Sequence, residues 1–140
     1  DIKKLKMGTT DIWGISGNQE YKLPEYYSEI SLPNRLKITS PKPYSKIKVD
    51  NGIRINWEPI KEYNSKIYIS IHNDKFETLF KSMVPDSGSF FVHDWHLQGD
   101  FRELEIYLLR NNFLKLDTLD NTVFSFEYIE FYSSFHFVED

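Results

Sequence analysis

The chain of 140 residues contains no cysteine. That excludes a disulfide framework, thiolate metal sites and thiol catalysis, and it leaves the compartment open. No stretch approaches the roughly 18 consecutive apolar residues of a membrane-spanning helix, and no basic, apolar, small-residue series marks a signal peptide. A strong excess of one charge is also missing. There are 17 Lys and Arg against 21 Asp and Glu, a net charge of -4, and the lysines are scattered rather than gathered in a stripe. Such a surface argues against nucleic acid as a partner. The first residue is Asp1 and not Met. A processed or trimmed chain is therefore expected, with any export signal or lipid anchor already removed.

Apolar bulk is what the chain has in quantity. Hydrophobic residues make up 40% and aromatic residues 16%, with 11 Phe, 9 Tyr and 3 Trp, too much for a disordered segment. An aromatic and β-branched excess favours sheet. At this length one domain is expected, burying roughly two-thirds of the surface that the unfolded chain exposes.

The clearest pattern runs from Gly52 to His72. Ile53, Ile55 and Trp57 alternate with Arg54 and Asn56, and Ile67, Ile69 and Ile71 alternate with Tyr68 and Ser70. A period of two is the mark of half-buried strands. Residues 1–35 differ, with scattered Gly and Pro, isolated apolar residues and no sustained period, so they read as an extended N-terminal segment. From Leu36 to Asp140 the chain reads as one sandwich domain. Leu36 and Ile38 open a strand that Pro41 and Pro43 interrupt, which predicts a first strand split along a sheet edge. Asp50, Asn51 and Gly52 form a turn, and Pro59 ends the strand after Trp57. Residues 77–83 fit a short strand better than a helical turn because both flanks are turns.

Phe90 to His93 is a further short strand. Glu103 to Leu108 alternates, and Asn111 and Asn112 suggest a hairpin turn. Val123 to Val138 alternates on both faces, so both look at least partly covered, and its length suggests a bulge or kink near Ser133 and Ser134 that divides it. Six or seven such strands with turn signals between them imply an antiparallel two-sheet sandwich.

Ile53, Ile55, Trp57 and Pro59, then Tyr68, then Asp86, Gly88 and Phe90 ahead of Leu97, resemble fibronectin type III and related immunoglobulin-like modules over roughly Leu36 to Tyr132. The richness in Asn, Lys, Ile and Tyr resembles such domains in surface lipoproteins of gut Gram-negative bacteria. Phe101 and Leu104 stand where fibronectin modules usually carry a tyrosine, which puts the corner hydrogen bond in doubt. The resemblance implies export to the periplasm or cell surface and a role in adhesion, spacing or ligand binding. Fold alone does not choose among these.

Candidates for chemistry are few. His93, Asp94 and His96 are the one local cluster of metal-ligand types, but His93 and His96 point to opposite sides on a strand, and joint chelation needs a turn at Asp94. Glu103 and Glu105 share a strand face with Cα atoms about 6.7 Å apart, a spacing seen in glycoside hydrolysis and equally in any solvated strand face. Asp86, Ser87, Ser89 and His93 contain the letters of a hydrolytic triad without a nucleophile elbow. Asp74, Asp86, Asp117 and Asp120 match no calcium-loop spacing. No catalytic residue, metal or cofactor is expected. The more promising surface is aromatic: Tyr44, Tyr63, Trp95 and Phe113 lie in or beside connections, where sandwich modules place ligand contacts. A third route is strand addition at an uncovered edge, which Glu127, Glu130, Pro41 and Pro43 would discourage. The sequence thus supports a non-catalytic structural or protein-interaction module of an exported lipoprotein, facing a cell-surface protein or glycan. The alternative is a carbohydrate-binding module using the loop aromatics.

Overall fold

A computed structural model describes residues 10–22, 24–31, 35–60, 65–119 and 122–139. These form ten strands and one 3-10 turn at Asp94–His96, so the fold is all-β, as the alternation predicts. Among the described residues no helix is long and apolar enough to cross a membrane. The chain divides into two compact units, one of Asp1–Arg35 with Phe113–Glu127 and one of Leu36–Asn112 with Tyr128–Asp140.

In the first unit, β1 (Thr10–Ile15) pairs antiparallel with β2 (Tyr26–Ser31), placing Thr10 opposite Ser31 and Ile15 opposite Tyr26. The segment expected to be an extended leader therefore carries a hairpin. Gly14 lies opposite Tyr27, and a Cβ there would collide with that ring. The glycine makes room for the tyrosine within the ladder.

The second unit contains two sheets. One has the order β3-β5-β8, from Ile38–Ser40, Ile53–Trp57 and Ser89–Val92. The other has the order β4-β10-β9-β6-β7. Its strands are β4 (Lys46–Ile47), β6 (Lys66–Asn73), β7 (Thr78–Pro85), β9 (Glu103–Leu119) and β10 (Thr122–Val138), of which β9 from Phe113 onward and β10 up to Glu127 belong to the first unit. The first strand is split as expected: Pro41 and Pro43 follow β3, and the chain resumes as β4 in the other sheet, parallel to β10. Proline removes a ladder donor, so the strand leaves one sheet before it joins the next.

Alternation fills the space between these sheets. Ile53, Ile55 and Trp57 from β5, Ile67, Ile69 and Ile71 from β6, and Leu104, Ile106 and Leu108 from β9 are all buried in one apolar cluster. Each buried isoleucine or leucine contributes about 1.5–3 kcal/mol relative to exposure. Two expectations fail here. Asn111 and Asn112 do not turn the chain, because β9 continues to Leu119, and β10 runs through Ser133 and Ser134 as one strand. Ser134 stays in the strand because its hydroxyl has a buried partner, Nε2 of His136 at 2.7 Å.

Candidate functional site

The five-stranded sheet has a second face, turned away from the core. On β6 the residues between the buried isoleucines are Tyr68, Ser70 and His72, and the register sets Leu109 opposite Tyr68 and Tyr107 opposite Ser70. These side chains surround an open cleft of about 540 Å³, with Phe76 and Phe131 completing its apolar walls. The volume lies within the range of small-molecule sites. Tyr107 is 5.5 Å from Phe131 between ring centroids and meets His72 edge-on at 5.1 Å.

A polar strip of Ser70, His72, Thr78 and Lys81 crosses the cleft. Thr78 and Lys81 are three residues apart on β7, a spacing that would put them on opposite faces of a regular strand. The register shifts between Ile71 and His72, so that Phe80 faces Ile71 while Thr78 faces His72. That bulge re-aims Thr78 onto the outer face. There its Oγ1 lies 3.3 Å from Nδ1 of His72, whose Nε2 lies 2.7 Å from Oγ of Ser70.

The direction of this chain follows from burial. Ser70 is buried and Thr78 is exposed. A buried hydroxyl proton needs a protein acceptor, whereas an exposed one has water. The arrangement that satisfies Ser70 has its O–H donating to Nε2, with Nδ1–H donating to Oγ1 of Thr78. In that arrangement the threonine O–H is not used within the strip. Tyr107 is committed elsewhere: its hydroxyl donates to Oε2 of Glu105. That bond, with burial and the carboxylate's charge adding to it, pushes the phenol up to about 12. It remains a donor at any physiological pH.

The residues singled out in sequence fall elsewhere. Trp95 lies in the 3-10 turn between β8 and β9, 61% exposed, with its indole stacked on His93 at 3.9 Å. Tyr44 lies between β3 and β4, 71% exposed, its backbone N–H donating to the carbonyl of Phe135 at 2.7 Å. Tyr63 and the side chain of Phe113 lie outside the described residues, although the backbone of Phe113 belongs to β9 and not to a loop. Trp95 and Tyr44 thus sit in separate connections.

The chemical candidates are likewise dispersed. A turn does begin at Asp94, but His93 packs against Phe91 and Trp95 while His96 meets Phe80 edge-on. No group of three metal-ligand side chains occurs among the described residues. Asp86 is locked by structural partners, accepting from Nε1 of Trp57 at 2.7 Å and from Oγ of Ser65 at 2.7 Å, and pairing with Arg110 at 2.9 Å.

Arg110 is the largest fully buried side chain, on the inner face of β9. Its Nη1 donates to Glu130 at 3.1 Å and its Nη2 to the carbonyl of Glu58, while Oε1 of Glu130 accepts from the Leu36 N–H at 2.9 Å. Glu130 therefore points inward and ties β10 to β9, and it does not guard an edge against strand addition as expected. The sequence signal was present. Arg110 continues the inward row Leu104, Ile106, Leu108, so its alternation alone places a guanidinium among apolar side chains.

The outer face of β10 is the remaining surprise. Ile129 and Phe131 are 58% and 61% exposed, and Phe135 and Phe137 are each 44% exposed. Alternation predicts that both faces of this strand are at least partly covered; from Ile129 to Val138 the even-numbered side chains are buried or half-buried, and the odd-numbered ones other than Ser133 are exposed. Compared with known proteins, the chain matches no family model, no curated protein sequence and no solved structure.

Proposed function

We propose that the chain is a non-catalytic interaction module that recognises its ligand through the open face of the five-stranded sheet. The observation that carries this reading is the row Ile129, Phe131, Phe135 and Phe137, apolar and solvent-exposed, with Phe131 lining the cleft. Several large apolar side chains left exposed along one strand face mark a place of contact. The polar strip supports binding over catalysis. Ser70 and His72 make the serine–imidazole half of a triad, but the second imidazole nitrogen meets a threonine hydroxyl where a carboxylate would stabilise imidazolium, and Ser70 is buried beneath the cleft.

The immunoglobulin-like reading is part of the same proposal. Such sandwiches place strands A, B and E in one sheet and C, F and G in the other. Taking β3, β5 and β8 as A, B and E, and β6, β9 and β10 as C, F and G, reproduces that order, with β7 as an added strand beside C. Membership in an exported surface lipoprotein rests on the sequence resemblance, and it makes a cell-surface protein or glycan the partner. The carbohydrate-binding alternative is favoured by Trp95, whose ring is exposed and stacked on His93.

Mapping with small organic probes separates these readings. Titrating isopropanol and phenol into labelled protein should move the resonances of Tyr68, Tyr107 and Phe131 first. Shifts concentrated at Trp95 would favour the loop site, and shifts spread evenly over the surface would end the open-face proposal.

A further inference from the structure

The cleft's chemistry narrows what it can hold, given that the open face is the recognition surface. Its hydrogen-bonding groups are unevenly committed. Both imidazole nitrogens of His72 and the hydroxyl of Ser70 bond within the strip, and the phenol of Tyr107 is given to Glu105. What remains are two hydroxyls able to donate, those of Thr78 and Tyr68, and the ammonium of Lys81, an exposed lysine lining the cleft that can only donate. Lys81 has no ion-pair partner among the described residues. Glu105, opposite His72 and two strands from β7, already accepts the tyrosine proton.

Two features set these donors against an apolar wall. The bulge in β7 places Thr78 and Lys81 on one face, at the separation of alternate strand residues, about 6.7 Å between Cα atoms. Across the sheet from them stand Tyr107, Leu109 and Phe131, with ring faces suited to stacking on another ring. A cation and a hydroxyl on one side, rings on the other, and no carboxylate among the described residues lining the cleft select for an acceptor group on a flat apolar body.

We propose that this cleft binds a carboxylate carried on an apolar ring, the carboxylate reaching Lys81 and Thr78 and the ring lying against Tyr107 and Phe131. A neutral alcohol of the same shape would keep the ring contacts and lose the attraction to the ammonium, so affinity should depend on charge as well as on apolar area.

The test compares 4-phenylbutyrate with 4-phenylbutan-1-ol by resonance shifts in the intact protein. The acid should bind about fivefold more tightly than the alcohol at low salt, the scale of one exposed charge pair. Lys81→Gln should bring the two affinities together, and Phe131→Ser should weaken both. N-acetylphenylalanine distinguishes the source of the carboxylate. Binding above that of phenylbutyrate points to the C-terminus of a peptide, and binding below it to a free aryl acid. Equal binding of acid and alcohol at the cleft overturns the carboxylate assignment and leaves the open face standing. Shifts confined to other surfaces, or no shifts, overturn both.

Discussion

The five-stranded sheet carries the same short pattern, serine, one residue, histidine, on each of its faces. Ser70 and His72 lie on the outer face of β6, and Ser134 and His136 on the inner face of β10; in both pairs Oγ is 2.7 Å from Nε2. In both, Nδ1 also faces a hydroxyl, Thr78 at 3.3 Å and Ser45 at 3.5 Å. The surroundings make the difference. His136 is 1% exposed, whereas His72 sits half-buried over an open cleft. On the inner face the Ser134–His136 pair is enclosed and bonds only within the structure; on the outer face the Ser70–His72–Thr78 chain ends at an exposed threonine. Identical local chemistry is thus a strut in one place and a lining in the other, and burial decides which.

The inner face should break most severely. Arg110→Ala leaves Asp86 and Glu130 buried without their cation, and should destabilise the fold by about 3–5 kcal/mol in urea titrations. Replacing the set together, Arg110→Met with Asp86→Asn and Glu130→Gln, should recover much of that loss. A single variant as stable as the parent would show that the network is not closed.

His136 gives a smaller effect with a definite sign. Burial lowers its pKa below the ordinary 6.5. The unfolded chain then takes up a proton near pH 6.5 while the native chain resists it, so this group's contribution is intact above that value and is lost as pH falls toward the lowered native one. The urea midpoint should decline between pH 7.5 and 5, and His136→Gln should flatten the decline. An unchanged pH slope in the variant would remove His136 from the account of that decline.

How far each face can be read from sequence follows from the same contrast. The alternations of Ile53 to Trp57 and Ile67 to Ile71 locate the core strands, because isoleucine at every second residue fits a strand with one buried face and little else. Pro41 and Pro43 announce the split first strand through a missing donor. The open face is not legible. Phe131 and Phe135 look like core residues, and only their exposure in the folded chain, 61% and 44%, shows otherwise. Thr78 is hidden more deeply, since its facing depends on a one-residue bulge that pattern counting does not see. Loop aromatics such as Trp95 look like ligand contacts in the sequence, yet the aromatics lining the cleft come mostly from strands. Within residues 1–35, whose scattered glycines and prolines read as an extended segment, Gly14 accommodates a tyrosine ring inside a hairpin.

The smallest stability effect belongs to the outer face and is the sharpest check on the comparison. Phe131→Ser removes an aromatic ring that is 61% exposed. Little area returns to water, so stability should stay within about 0.5 kcal/mol of the parent. His72→Gln should behave similarly, since glutamine offers a donor and an acceptor to Ser70 and Thr78 and water reaches the cleft. Both variants should instead show up in binding, where the parent's rings and free hydroxyl are used. A loss above about 2 kcal/mol for Phe131→Ser, of the size seen when core groups are truncated, would mean that the face is covered in solution. The two serine–histidine pairs would then differ in position alone.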